Sequence, residues 1–225
     1  MKIMIASDIH GSLKYCRELV EKYREEKCEK LVLLGDVLYH GPRNDLPDEY
    51  NPKGVIALLN DMAEEILCVR GNCEAEVDER VLSFPVLAEY AFFYHKGRMF
   101  FLTHGHKMNP QNLPKIKKGD ILFNGHTHVS KIEELEGGYI YANPGSVSIP
   151  KENTPRGYMI VDDDAIVHKT LQGAPAAHVI ADDDQYGRQG SHGDVLGIRH
   201  ENEQNEHEHH GMDDSSNGCA AAVVD

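Results

Sequence analysis

Aspartate, asparagine and histidine stand directly after apolar runs at five places in this chain. In order they are Asp8-Ile-His10, Gly35-Asp36, Gly71-Asn72, His104-Gly-His106 and Gly125-His126-Thr-His128. Carboxylate, amide and imidazole donors, with no thiolate forced among them, suit borderline divalent metals such as Mn, Fe, Co, Ni or Zn. The set is too rich in nitrogen for Ca or Mg. Asp8, His10, Asp36, Asn72, His104, His126 and His128 make seven candidate ligands. A single tetrahedral or octahedral ion seldom takes that many from protein, so the excess points to two metals sharing a carboxylate. Taken singly, each element is ordinary. Gly-Asp and Gly-Asn after a strand are common turn chemistry, and only Gly-His-x-His has some specificity of its own. The ordered set of five carries the inference.

These residues need a scaffold that gathers strand ends. Lys2–Ser7, Lys30–Leu34 and Ile66–Val69 read as short buried strands. Between them, Leu13, Cys16, Leu19, Val20 and Tyr23 recur at helical spacing. Val55, Ile56, Leu58, Leu59 and Met62 form a second helical stripe, entered through Asn51-Pro52. Strand signals follow at Phe92–Tyr94, Met99–Thr103, Ile121–Asn124 and Ile132–Leu135. Gly137-Gly138 turns the chain into Tyr139–Ala142, and Tyr158–Val161 and Ala165–Thr170 flank an acidic turn. A βαβαβ start followed by hairpins predicts an α/β fold with a mixed sheet, or two packed sheets, and helices outside. Strand ends on one side of such a sheet form a crevice in which all five segments meet.

With 225 residues, 40% hydrophobic, the chain is long enough for one domain with a core of normal size. Its formal charge of −14 argues against a nucleic-acid duplex or an anionic membrane as the main partner. A small phosphorylated substrate stays open, because bound metal offsets its charge. The five cysteines are odd in number and scattered without C-x-x-C spacing, which reads as reduced thiols of a cytoplasmic protein. Neither a signal-peptide core nor an apolar run long enough to span a bilayer is expected. Beyond Leu171, eleven acidic residues face only Arg188 and Arg199 and the large aliphatics thin to islands. That composition predicts a domain over residues 1–171 and an acidic, His-rich, disordered tail over 172–225. The tail's run His200–His210 has the composition of a weak metal chelator.

The five motifs, in this order, resemble the signature of the calcineurin-like metallophosphoesterases. Longer stretches, Ser7–Ser12, Gly35–Asn44, Val69–Cys73 with Glu76-Val-Asp78, and Asn143–Pro150, are similar to a bacterial phosphodiesterase branch of that family. The match runs to about Leu171. The resemblance implies an αββα four-layer sandwich of two mostly mixed sheets flanked by helices. It implies a hydrolase acting on small phosphodiesters, with Asp8, His10 and His128 on one metal, Asn72, His104 and His126 on the other, and Asp36 bridging. Mn(II) is the metal the family usually takes, and a hydroxide bridging the two ions would attack phosphorus.

Cys73 departs from the wider family, which has His there to protonate the leaving group; a thiol is a poorer acid for an alkoxide. His106, His40 and Arg43 are the candidates for that donor or for phosphate contact. Arg43 is favoured because a guanidinium takes two phosphate oxygens at once. Tyr39, where the branch has Asn, offers a ring for stacking on a base or aryl group. A phosphomonoesterase, or a non-catalytic interaction scaffold on the same fold, are the alternatives; the complete ligand set favours catalysis. Association into a homo-oligomer stays open.

Overall fold

The computed structural model describes residues 1–163, 165–172, 175–180 and 198–199. The chain opens as β1 (Ile3–Ala6), α1 (Leu13–Glu25), β2 (Lys30–Leu33), α2 (Pro52–Asn60) and β3 (Ile66–Cys68). Both helices begin where the sequence caps them. Ser12 Oγ accepts from Tyr15 N at 3.4 Å, and Asn51 Oδ1 accepts from Gly54 N at 3.1 Å ahead of Pro52. α1 buries Tyr15, Cys16, Leu19, Val20 and Tyr23, the stripe its spacing predicts. α2 ends at Asn60, so Met62 packs from the turn beyond the helix.

Then follow β4 (Ala91–His95), β5 (Arg98–Leu102), β6 (Ile121–Phe123), β7 (Ser130–Leu135) and β8 (Tyr139–Pro144). β9 (Gly157–Val161), β10 (Ala165–Thr170), β11 (Pro175–Ile180) and β12 (Ile198–Arg199) complete the described strands. One sheet runs β12-β11-β10-β9-β1-β2-β3 and the other β4-β5-β6-β8-β7. Both are mixed: β1, β2 and β3 are parallel, as are β5, β6 and β8, while the remaining pairs are antiparallel.

Strand alternation assigns each side chain to a layer. Ile3 and Ile5 of β1 meet Phe100, Leu102, Ile121 and Phe123 between the sheets, whereas Met4 and Ala6 face the helices with Leu19, Val55 and Leu59. The outer face of the second sheet, Phe101, Leu122 and Tyr141, is covered by Met108, Leu113 and Ile116 from the irregular segment after β5 rather than by a helix. The two-sheet sandwich read from the family resemblance is therefore present.

The first sheet also continues past Leu171. β11 pairs antiparallel with β10 from Ala165↔Ile180 to Lys169↔Pro175, and β12 pairs with β11. A strand takes its backbone hydrogen bonds from its neighbours, so a composition thin in large aliphatics still enters the sheet. The remainder of 172–225, with His200–His210, lies outside the described residues.

Candidate active site

The parallel strands β1, β2 and β3 release Asp8 and His10, Asp36, and Asn72 from their C-terminal ends. β5 and β6 release His104 and His126–His128 from theirs. The connecting loops are stitched together: Asp8 N donates to Gly35 O at 3.2 Å, His10 N to Asp36 O at 2.9 Å and Gly125 N to His104 O at 2.9 Å. The closeness explains the glycines. A β-carbon on Gly71 would collide with the Asp36 carboxylate, and one on Gly125 with Ser7 Oγ and Asp8 Oδ2.

The backbone is strained at the same place. Ten described non-glycine residues have positive φ, and half of them are Asp8, His10, Asp36, His126 and His128. Each such residue adopts a conformation that L side chains avoid, which persists only where the surroundings hold it. Here they do: Ser146 and Ser148 hydroxyls donate to Asp8 O at 2.8 and 3.1 Å, so the Asn143–Pro150 turn braces the first ligand loop.

All seven candidate ligands converge. His128 Nε2 lies 3.2 Å and His10 Nε2 3.4 Å from Asp8 Oδ1, and the two imidazole nitrogens are 3.2 Å apart. On the other side His104 Nε2 is 3.1 Å from Asn72 Oδ1 and 3.2 Å from His126 Nδ1. Asp36 Oδ2 lies between the groups, 3.8 Å from His10 Nε2 and 3.5 Å from His104 Nε2.

The opposite ring nitrogens fix what these atoms are. His10 Nδ1 donates to Tyr39 O, His104 Nδ1 to Leu34 O and His128 Nδ1 to Ile149 O, each at 2.7 Å. Each ring therefore turns an Nε2 lone pair inward, toward carboxylate, amide oxygen or another imidazole nitrogen. Lone pairs so placed need a proton or a cation between them. Asp8 Oδ1, fully buried, also has no hydrogen-bond partner. The donor set and this geometry fit divalent metal, and three groups, Asp8–His10–His128, Asp8–Asp36–His104 and His10–Asp36–Cys73, each hold their ligand atoms within 4.8 Å of one another.

Electrostatics follows from the same crowding. Burial alone would raise the Asp8 carboxyl, but His10, His128 and His104 hold it well below the ordinary value. Burial would lower His104, yet its hydrogen bond to Asp36 and the charges of Asp8 and Asp36 push it up to about 9. Burial and the neighbouring His104 pull His126 and His106 down. A cation held here would compete with the protons on these imidazoles.

Arg43 joins the site: it lines a cavity of about 390 Å³ together with Asp36, Asn44, Asn72, His126, His128 and Lys151. Cys73 touches its edge, with Sγ in reach of His10 and Asp36, and burial followed by the Asp36 charge pushes its thiol far up. His106 stands back, its ring 5.4 Å from His104 and 6.2 Å from His126. His40 is sandwiched edge-on between Tyr39 and Tyr50 at 4.8 and 5.2 Å. What Tyr39 gives the site is its carbonyl, on His10.

Two residues escaped the sequence reading. Buried Glu74 accepts from Asp36 N at 2.9 Å and Gly71 N at 2.5 Å through Oε2, and from Val37 N at 2.7 Å through Oε1. Burial and the Asp36 charge raise its carboxyl. Lys151 donates its backbone N–H to His128 O at 3.0 Å and faces the Arg43 cavity. A Glu within an acidic loop and a Lys after Ile-Pro carry no spacing that would mark them.

A family model, the calcineurin-like phosphoesterase superfamily domain, matches residues 1–165. The chain belongs to that superfamily. With it comes the enzyme class, a hydrolase of phosphoric esters. Over 166 residues, 74% of this chain and 90% of its relative, the phosphoesterase is 45% identical to "Phosphodiesterase YfcE" of Escherichia coli K12. The solved structure of the YfcE phosphoesterase from E. coli superposes with a TM-score of 0.78 at 43% identity, covering 80% of this chain and 99% of that one. An archaeal phosphodiesterase, at 22% identity and TM-score 0.52 over 80% of this chain and 100% of its own, shares the fold. No helix among the described residues of this phosphoesterase is long and apolar enough to cross a membrane.

Proposed function

We propose that this phosphoesterase is a cytoplasmic phosphodiesterase that cleaves small phosphodiesters with two divalent cations, Mn(II) first among them. The reading rests on one observation: seven oxygen and nitrogen donors turn their lone pairs on a shared space, with Asp36 Oδ2 within 3.8 Å of His10 Nε2 and 3.5 Å of His104 Nε2. Asp8, His10 and His128 would hold one cation, Asn72, His104 and His126 the second, and Asp36 both. When bound, such a pair activates water at neutral pH and neutralises charge on the phosphoryl oxygens. The YfcE relative, a phosphodiesterase by name, supports the diester preference. The four described cysteines, all free thiols, accord with a reducing compartment.

The chain's own residues do the rest. Arg43 and Lys151 give the cavity two cations on its solvent side, where they orient the phosphate through its non-bridging oxygens. Cys73, a thiol beside Asp36, is a poorer proton donor to a leaving alkoxide than an imidazolium would be. That favours esters with good leaving groups, or a proton arriving through His106.

The test is hydrolysis of an aryl phosphodiester beside the matching monoester, by metal-stripped protein with and without Mn(II). Metal-dependent turnover that is fastest on the diester supports the reading, and faster cleavage of the monoester overturns it. In the same assay folded Asp36→Asn protein should be inactive; near-normal turnover would remove the two-cation assignment.

A further inference from the structure

His126 and Thr127 form a wall with a cavity on each side. One is the Arg43–Lys151 cavity; the other, of about 460 Å³, lies toward Gly105, Asn109, Asn124, Val129 and Tyr141. A phosphomonoester carries one alcohol, but a phosphodiester carries two, on different sides of phosphorus. The second cavity falls within the size range of ligand sites.

Its polar groups are specific. Asn143 Nδ2 donates to Tyr141 Oη at 3.0 Å, to Thr127 Oγ1 at 3.1 Å and to Gly125 O at 2.9 Å. Both hydroxyls thus accept from the same amide, and each keeps its own proton to donate elsewhere. Asn124 lines the cavity as well. Its Nδ2 faces three carbonyls, Phe123 O at 3.0 Å, Met108 O at 3.3 Å and Thr103 O at 3.4 Å, which fixes the amide orientation. Its Oδ1, in a residue 1% exposed, has no hydrogen-bond partner. Buried acceptors rarely stay unpaired in a finished structure. At the rim Lys131 and Glu133 neutralise each other at 2.7 Å.

We infer that this second cavity is a subsite for one alcohol of the diester, and that it disfavours an anionic alcohol and selects one bearing further hydroxyl groups. Tyr141 and Thr127 donate to that alcohol. An anionic group meets Glu152 and a lysine already paired with Glu133, and a plain alkyl group leaves both hydroxyls without a partner. The subsite rests on the phosphodiesterase reading and adds to it which alcohol the enzyme prefers.

The test uses the Mn(II)-loaded full chain and two 4-nitrophenyl phosphodiesters, whose second alcohol is methyl or 2,3-dihydroxypropyl. The wild type should favour the dihydroxypropyl ester about tenfold in kcat/KM. Tyr141→Phe keeps the ring and leaves Asn143 Nδ2 its other two acceptors, so it should fold; it should cut that preference about fivefold, chiefly through KM. A wild type that cleaves both esters equally well, or a Tyr141→Phe protein with the preference intact, overturns the subsite and leaves the phosphodiesterase reading standing. Failure to cleave either diester, with the monoester cleaved, overturns that reading and the subsite with it.

Discussion

Replacing Glu74 with Gln tests how the ligand loops are held. Its carboxylate takes two N–H bonds on Oε2, from Asp36 and Gly71, and one on Oε1, from Val37. Gln with its oxygen in the Oε2 position keeps the first two as neutral bonds, each weaker by about 1 kcal/mol. Its amide nitrogen then confronts Val37 N–H, leaving a buried donor unpaired for roughly 1–3 kcal/mol. Against that, the substitution removes a buried negative charge beside Asp36, whose cost shows in the raised Glu74 carboxyl. That relief recovers about 1–2 kcal/mol, for a net loss on the order of 2 kcal/mol. With a urea slope of about 2 kcal/mol per molar, the unfolding midpoint should fall by about 1 M. Because Glu74 ties the loops carrying Asp36 and Asn72 to each other, Mn(II) affinity by calorimetry should drop about 10- to 100-fold. A Glu74→Gln protein with unchanged midpoint and unchanged affinity would refute the reasoning.

Three further outcomes are expected. Cys73→His should raise kcat on alkyl diesters, whose leaving groups need a proton, more than on aryl diesters; equal effects on both would sink the proton-donor argument. Burial pushes the Cys16 thiol up to about 12 from an ordinary value of 9.0. Its folded-state value is the higher one, so its contribution to stability is complete below about pH 9 and lost as pH rises toward 12. Urea unfolding of wild type should weaken across that window more than that of Cys16→Ala, and parallel curves would count against it. Finally, a chain ending at Arg199 should keep activity and metal content, whereas one ending at Leu171 strips β11 from β10 and should unfold at lower temperature in calorimetry.

The candidate ligands were legible because metal chemistry restricts residue type and the strand ends restrict position. Asp8, His10, Asp36 and the Gly-His-x-His pair each follow a run whose apolar pattern marks a strand, so order alone placed them on one edge. Period-2 and period-3.6 patterns likewise located α1 and ten strands within a residue or two. Glu74 was hidden because its role is to accept backbone N–H groups, a job that leaves no spacing. Lys151 was hidden because only the turn after Ser148 swings it over the cavity. β11 and β12 escape a reading of composition because a strand's backbone hydrogen bonds come from its neighbours, which composition does not register. The second cavity depends on which way two hydroxyl protons point, and that follows only from the position of Asn143.

His10 and His128 meet at 3.2 Å although 118 residues separate them. Such contacts have high contact order: the chain must first pay the closure entropy of both sheets. The cluster therefore cannot serve as the nucleus of folding; it closes only after the sandwich has docked. An ion bound there grips the native state and not the transition state, so it leaves the refolding limb of a chevron plot in place and lowers the unfolding limb. A metal bound at this cluster would be a latch on a door already shut, and its effect on lifetime should exceed its effect on the speed of assembly.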